Sequence, residues 1–187
     1  MSKPPVPAAG NPWQTLSTDL EFENAWFAIT THDTVAPDGT RPRYGKISFK
    51  NRAIGIIPLD DEQHTWIVGQ WRFPLGEFSW EVPMGGAPPD ESLESAALRE
   101  LKEETGLSAT RLRQLLKVHT SNSVTDEEGY VFLAEGLTAG NPDFDETELL
   151  EIRRVPFTEA LAMAMDGRIT DAISVAGILA LARHLEL

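Results

Sequence analysis

One 23-residue segment, Gly85 to Leu107, constrains the fold of this chain more than any other part of the sequence. A helix is predicted over Ser92 to Thr105, with Asp90 or Ser92 as the N-cap and Gly106 as the stop. At 100° per residue, three carboxylates share one side of this helix: Glu100, Glu103 and Glu104. A different side carries Ala97, Leu98, Leu101 and Thr105. The segment therefore predicts an amphipathic helix that packs by one side and presents a dense acidic side.

The acidic side of this helix has two interpretations. Like charges three and four residues apart repel by about 0.2–0.5 kcal/mol per pair, and the simpler interpretation is a solvated surface. The alternative is a metal site. A turn is predicted at Pro83 to Gly86, just before the helix, where glycines let backbone carbonyls approach a ligand. Carboxylates clustered with a carbonyl suit hard cations such as Mg²⁺ or Mn²⁺.

Hydrophobic patterning places the other elements. Strands are predicted at Asn24 to Thr31, Tyr44 to Phe49, Ala53 to Leu59, Thr65 to Trp71, Leu112 to Thr120 and Tyr130 to Glu135. Two further helices are predicted at Phe157 to Met165 and Thr170 to Ala182. Strands and helices in this order indicate an α/β (α+β) domain.

Charge and composition exclude several classes of function. The chain has 16 Lys and Arg against 29 Asp and Glu, a net charge of −13, so binding to nucleic acid or to an anionic membrane surface is not expected. It has no cysteine, which excludes disulfides and thiolate chemistry and suits a cytoplasmic location. No apolar run reaches the roughly 18 residues of a membrane span. Residues 1–15, rich in proline, are expected to form a flexible arm.

The spacing of the acidic segment resembles a known motif. Glu91 follows Gly85 after five residues, and Arg99 follows Glu91 after seven. The run Arg-Glu-Leu-Lys-Glu-Glu-Thr-Gly-Leu then begins at Arg99. This pattern resembles the Nudix box at every position that the box specifies.

The resemblance extends over about residues 22–182. The segments Val68 to Arg72 and Trp80 to Gly85 are similar to the approach to the box in ADP-ribose and nucleotide-sugar pyrophosphatases. The resemblance implies a Nudix α/β/α sandwich around a mixed β-sheet, with an N-terminal β-strand extension. It also implies a strand region at 16–60 that forms a homodimer and a hydrolase domain at 53–187.

The resemblance implies roles for the box residues. The metal ligands for Mg²⁺ or Mn²⁺ would be Glu100 and Glu104, with Glu103 sharing or supporting that role and the Met84 carbonyl as another ligand. Arg99 would orient the glutamates through charge-assisted hydrogen bonds and belongs, with Glu103, to the catalytic set.

The resemblance also implies a general base outside the box, on a loop after the sheet that corresponds here to residues 141–150. Alignment with the resembling subfamily through Gly167-Arg168-Ile169 gives Glu146 the base position and Glu148 a further metal-contacting position. Glu148, Glu127 and Glu103 remain alternatives for the base.

Substrate contacts are expected from Arg72, Glu81 and Glu127. Arg72 would bind a phosphate or the terminal sugar, and its alternative role is a structural ion pair with Glu81 or a loop acid.

The implied activity is metal-dependent hydrolysis of the pyrophosphate bond of a nucleoside diphosphate sugar such as ADP-ribose. One departure leaves the substrate open, because Asn122 stands where the ADP-ribose group usually carries a proline. GDP-mannose or another nucleotide sugar is therefore an alternative. Two further alternatives are a non-catalytic nucleotide-sugar sensing module of the same fold and an enzyme that cleaves nucleoside triphosphates or caps.

Overall fold

The computed structural model describes residues 10–141 and 150–187. Two compact units divide the chain. The first comprises the described part of Met1–Lys50 together with Ser121–Asp126, and the second comprises Asn51–Thr120 and the described part of Glu127–Leu187. Within the described ranges, no helix is both long enough and apolar enough to cross a membrane.

The first unit is a three-stranded antiparallel sheet in the order β1-β2-β3. Its strands are β1 (Gln14–Glu23), β2 (Phe27–Val35) and β3 (Arg43–Phe49). Gly39, with φ +84°, lies in the turn that joins β2 to β3, a backbone conformation that glycine adopts without strain. In the segment Ser121–Asp126 of the same unit, Thr125 pairs with Ile47 of β3.

The second unit contains two sheets and three helices. Its strands are β4 (Arg52–Pro58), β5 (His64–Arg72), β6 (Glu77–Glu81), β7 (Met84–Ala87), β8 (Ser108–His119), β9 (Glu128–Thr138) and β10 (Glu151–Pro156). Its helices are α1 (Leu93–Thr105), α2 (Phe157–Asp166) and α3 (Ala172–His184). One sheet has the order β7-β4-β9-β8, and the other, antiparallel, has the order β10-β5-β6. Since β4 and β9 run parallel while the other pairs are antiparallel, the first sheet is mixed.

The core lies on both faces of the mixed sheet. Ile54 and Ile56 of β4 belong to a buried cluster that includes residues of α1. Ile57 belongs to a second cluster that includes residues of α2 and α3. A Cβ on Gly55 would lie 2.8 Å from Ile173 of α3, so this strand and that helix are in close contact. A strand that is buried on both faces typically has a continuous apolar sequence, and β4 has one. The layers confirm the predicted α/β/α sandwich.

Several sequence predictions need correction in detail. The turn predicted at Pro83 to Gly86 is largely the short strand β7, which pairs with β4. The helical pattern predicts Leu98 on the packing side of α1, but Leu98 is exposed, because the buried stripe runs through Ala97 and Leu101. Strands β1, β6 and β10 were not predicted, and the helix predicted from Thr170 begins at Ala172.

Candidate functional site

Helix α1 is capped at both ends by its own sequence. The Ser92 hydroxyl accepts a hydrogen bond from the Ser95 N–H at 3.1 Å, which satisfies a backbone donor that the first turn leaves free. At the other end, Gly106 adopts φ 72° and donates its N–H to the Lys102 carbonyl. These caps fix the length of α1 and therefore which residues face β7.

The edge of β7 that faces away from β4 is occupied by side chains. Two N–H groups of the strand donate to them, Met84 to Glu104 Oε2 (2.8 Å) and Gly86 to Glu100 Oε1 (3.1 Å). Just before the strand, the Val82 N–H donates to Ser174 Oγ (3.0 Å) in the same alternation. In a strand, the N–H and the C=O of one residue point to the same side. Gly86 shows this directly, because its carbonyl accepts from Arg99 Nη2 at 2.9 Å. By the same geometry, the Met84 carbonyl lies on the edge that the glutamates line.

Gly85 makes the close approach of Glu100 to β7 possible. A Cβ built at Gly85 would lie 2.0 Å from the carboxyl carbon of Glu100, far inside any tolerated contact. Only glycine leaves the volume that this carboxylate occupies. Close packing against Glu100 therefore explains why this position of the box is glycine.

The three glutamates differ in burial. Glu104 is 4% exposed, and the side chains of Glu100 and Glu103 are 13% and 41% exposed. Burial raises the pKa of Glu100, although the adjacent Arg99 acts in the opposite direction. Two sequestered carboxylates beside one arginine form a site that favours an additional cation, and all their donor atoms are hard oxygens.

Arg99 connects the residues of the box. Its Nη1 donates to Glu100 Oε1 at 2.7 Å and to Glu103 Oε2 at 2.9 Å. Its Nε and Nη2 hold both oxygens of Glu91 at 3.2 and 2.9 Å. The hydrogen bonds with Arg99 lower the pKa of Glu91, and those with Glu91 contribute most to raising the pKa of Arg99. Glu91, which lies outside the helix, thus holds Arg99, and Arg99 orients two glutamates of α1.

A cleft of about 400 Å³ lies beside the ion pair of Arg72 and Glu81. It is lined by Arg72, Pro74, Leu75, Glu77, Ser79, Glu81, Thr170 and Asp171. Arg72 donates through Nε at 2.9 Å and through Nη2 to the two oxygens of Glu81, whose side chain is 4% exposed. The ion pair with Glu81 that the sequence predicts as one alternative is present, and the Arg72 side chain remains 35% exposed in the cleft wall.

The Arg72 cleft is electrostatically linked to the carboxylates of α1. The bond with Glu81 contributes most to raising the pKa of Arg72, with further contributions from Asp171 and Glu104. Residues 81–86 join the two regions along the chain, since Glu81 precedes Val82 and Met84 on the way to Gly86. The cleft and the acidic face of α1 are therefore neighbouring regions of the second unit.

Three other predicted site residues are not among the contacts described above. Glu127, just before β9, accepts a hydrogen bond from the Thr120 hydroxyl. Glu146 and Glu148 lie outside the described residues. Sequence reasoning did not find Ser174 and Asp171, although Asp171 carries a recognisable signal as the N-cap of α3.

A second acidic group occurs at the start of β5. Asp60, Glu62 and His64 offer ligand atoms within 4.8 Å of one another. Arg154 already donates to Asp60 at 2.5 Å and to Glu62 at 2.6 Å. The guanidinium supplies the positive charge there, so this group is an ion-pair network.

The mixed sheet between helices and the carboxylates of α1 define an α/β/α domain with one acidic helix face. The NUDIX domain matches residues 49–174 of this chain. The chain belongs to the Nudix family of hydrolases, whose members generally use divalent metal ions.

Known proteins similar to this chain include enzymes of two substrate types. An ADP-ribose pyrophosphatase of Bacillus subtilis is 30% identical over 161 residues, which cover 85% of this chain and 86% of the relative. A GDP-mannose pyrophosphatase of Yersinia pestis is 33% identical over 178 residues, covering 87% of each. A crystal structure of an ADP compounds hydrolase superposes with a TM-score of 0.84 at 23% identity, over 93% of this chain and 94% of that one, and supports the fold.

Proposed function

We propose that the protein hydrolyses the pyrophosphate bond of a nucleoside diphosphate sugar, with ADP-ribose as the leading substrate. Water would add across the P–O–P bridge, and the products would be a nucleoside monophosphate and a sugar phosphate. The observation that carries the proposal is the carboxylate face of α1, held against β7 beside the Arg72 cleft.

Glu100 and Glu104, with Glu103 and the Met84 carbonyl, would hold Mg²⁺ or Mn²⁺. Burial of Glu100, its raised pKa and the oxygen donors along β7 support this assignment. When bound, a divalent ion polarises the phosphoryl oxygens and lowers the pKa of a bound water. Arg99 would keep Glu100 and Glu103 oriented whether or not the ion is present.

Arg72 would contact a phosphate or the terminal sugar from the cleft wall. Glu81 supports this role because its bidentate bond fixes the plane of the guanidinium while part of Arg72 stays open to the cleft. Glu127 would contribute a further substrate contact.

Glu146 would act as the general base, and Glu148 would contact a metal ion. Glu148, Glu127 and Glu103 are the alternative bases, and exposure favours Glu103 among the box glutamates, because its side chain is the most exposed of the three. If Glu146→Gln keeps near-normal kcat while Glu103→Gln loses it, the base assignment moves to Glu103.

The test of the proposed function is a substrate panel on the purified full chain with Mg²⁺ or Mn²⁺, with released nucleoside monophosphate quantified by chromatography. ADP-ribose and GDP-mannose are the principal substrates, since similar enzymes carry both names. We expect turnover of at least one and its loss in Glu104→Gln. Glu94→Gln, an exposed change in the first turn of α1, is the matched control. Inactivity on ADP-ribose and on all nucleotide sugars would overturn the proposal and favour the sensing module.

We further propose a cytoplasmic homodimer that binds neither nucleic acid nor membranes. Its contact would be the sheet β1-β2-β3, and both chains would contribute to the substrate pocket. The support is the number of large apolar side chains exposed on this sheet and on the residue just before it: Trp13, Leu16, Leu20, Phe22, Tyr44 and Phe49. The net charge of −13 supports the exclusion of anionic polymers and surfaces.

A further inference from the structure

Arg52, the first residue of β4, reaches out of its strand to the connection between β7 and α1. Its Nη2 donates to the carbonyl oxygens of Pro88 and Glu91, at 2.6 Å each. Its Nε lies 3.5 Å from the Ala87 carbonyl, and Arg52 is paired with Ala87 in the sheet register. One half-buried guanidinium therefore holds the connection near both of its ends.

The connection held by Arg52 carries Glu91. The Glu91 backbone N–H donates to the Pro88 carbonyl at 3.1 Å, which closes the turn between the two carbonyls that Arg52 binds. The Glu91 carboxylate then holds Arg99 through both of its oxygens. A short chain of hydrogen bonds thus runs from Arg52 to the arginine that orients the box glutamates.

Arg52 contacts none of the proposed metal ligands through the bonds described, so any effect on the metal would act through other residues. We propose that Arg52 is a positioning residue: it fixes the β7–α1 connection so that Glu91 holds Arg99, and Arg99 holds Glu100 and Glu103 for the divalent cation. This inference rests on the proposed metal-dependent function. Its chemical basis is that groups outside the ligand shell orient the ligands, and their loss typically weakens metal binding about 10–100-fold.

The test is Mn²⁺ binding to the full-length chain, measured from the electron paramagnetic resonance signal of free Mn²⁺. We expect Arg52→Ala to weaken binding about 10-fold, at the low end of that range because Arg52 acts through two intermediates. Arg52→Lys should weaken it less, because one ammonium cannot reproduce the fork of a guanidinium. Arg168→Ala is the matched control, since Arg168 is exposed and pairs with Asp166.

Turnover and thermal unfolding separate positioning from general destabilisation. At saturating Mn²⁺, Arg52→Ala should recover the kcat of the wild type, and a purely structural lesion would not be rescued in this way. Unchanged Mn²⁺ affinity in folded Arg52→Ala would overturn the inference even if the unfolding temperature fell. If that variant does not fold, Arg52→Lys and Arg52→Gln carry the same comparison.

Mn²⁺ binding and hydrolysis by the wild type show whether a negative result overturns the role of Arg52 alone or the proposed function as well. Wild-type protein that binds no Mn²⁺ would overturn both. Wild-type protein that binds Mn²⁺ and hydrolyses a nucleotide sugar, together with folded Arg52 variants of equal affinity, would overturn only the role of Arg52.

Discussion

Glu100 is largely removed from solvent, at a cost in stability to the metal-free protein. Burial raises its folded-state pKa above the ordinary value of 4.5, so ionisation of Glu100 costs more free energy in the folded chain than in the unfolded chain. This penalty is absent below the unfolded pKa and is complete once the pH exceeds the folded pKa. Glu100 therefore lowers the stability of the metal-free protein, and a bound cation would offset this cost.

Glu100→Gln should raise the unfolding temperature measured in EDTA at pH 7. The amide oxygen can still accept from Arg99 and from the Gly86 N–H, while the buried charge is removed. Added Mn²⁺ should then stabilise the wild type but not the variant. Glu94→Gln is the control, and a lower unfolding temperature for Glu100→Gln in EDTA would contradict the prediction.

Glu91 is predicted to give the opposite pH dependence. Its folded pKa is lowered by Arg99, so its contribution to stability is present above the unfolded pKa of 4.5 and is lost as the pH falls through the folded pKa. The difference in unfolding free energy between wild type and Glu91→Gln should be constant from pH 7 to about 5.5 and shrink below pH 4.5. Urea unfolding at pH 7, 4.5 and 3 measures it. A difference that grows on acidification would show that the pair with Arg99 does not govern this carboxylate.

At the scale of elements, the site depends on how closely α1 approaches β7. That distance is set by glycine, because Glu100 fills the volume that a side chain at Gly85 would need. The strand is only four residues long and is stabilised on one edge by β4 and on the other by side chains of α1. A small change at Gly85 should therefore act on the site more strongly than on the fold.

Gly85→Ala should lower metal-dependent turnover about 100-fold, because the new Cβ displaces the Glu100 carboxylate from its place beside β7. Overpacking of this kind should cost about 1–3 kcal/mol of unfolding free energy. Steady-state kinetics and urea unfolding measure the two effects. Gly45→Ala is the control, because a Cβ there meets nothing within 4 Å. Equal loss of activity in the two variants would refute the role assigned to Gly85.

The elements differ in how far the sequence predicts them. Helix α1 was predictable because its N-cap, its glycine stop and its apolar stripe are all local signals. The Pro-Met-Gly-Gly sequence at β7 predicts a turn, and only pairing with β4 makes this segment a strand. The contact of Ser174 with Val82 spans 92 residues of sequence, and those of Arg52 with the β7–α1 connection span 35 to 39. Such contacts have no local signature, so these residues emerge only from the structure.

At the scale of the whole molecule, the first unit exposes an apolar surface that no contact within the described chain explains. Every residue of β1 is exposed, yet the strand carries Leu16, Leu20 and Phe22. Phe22 and Phe27 form a ring contact at 5.9 Å, and Phe27 and Phe49 form another at 6.1 Å, so the aromatic side chains cluster. An exposed apolar cluster on a sheet is typical of a surface that another protein covers.

A second copy of the chain is the partner that we expect on this surface. Analytical ultracentrifugation at micromolar concentration should show a dimer for the wild type. Leu20→Glu should shift it to monomer, because burying an unpaired carboxylate in an apolar contact costs several kcal/mol. Met165→Glu, at an exposed methionine of α2, is the control. If both chains build the pocket, the monomeric variant should also show a raised KM at unchanged metal affinity. A wild type that is monomeric and fully active would exclude the dimer, whereas a dimeric Leu20→Glu would move its interface away from β1.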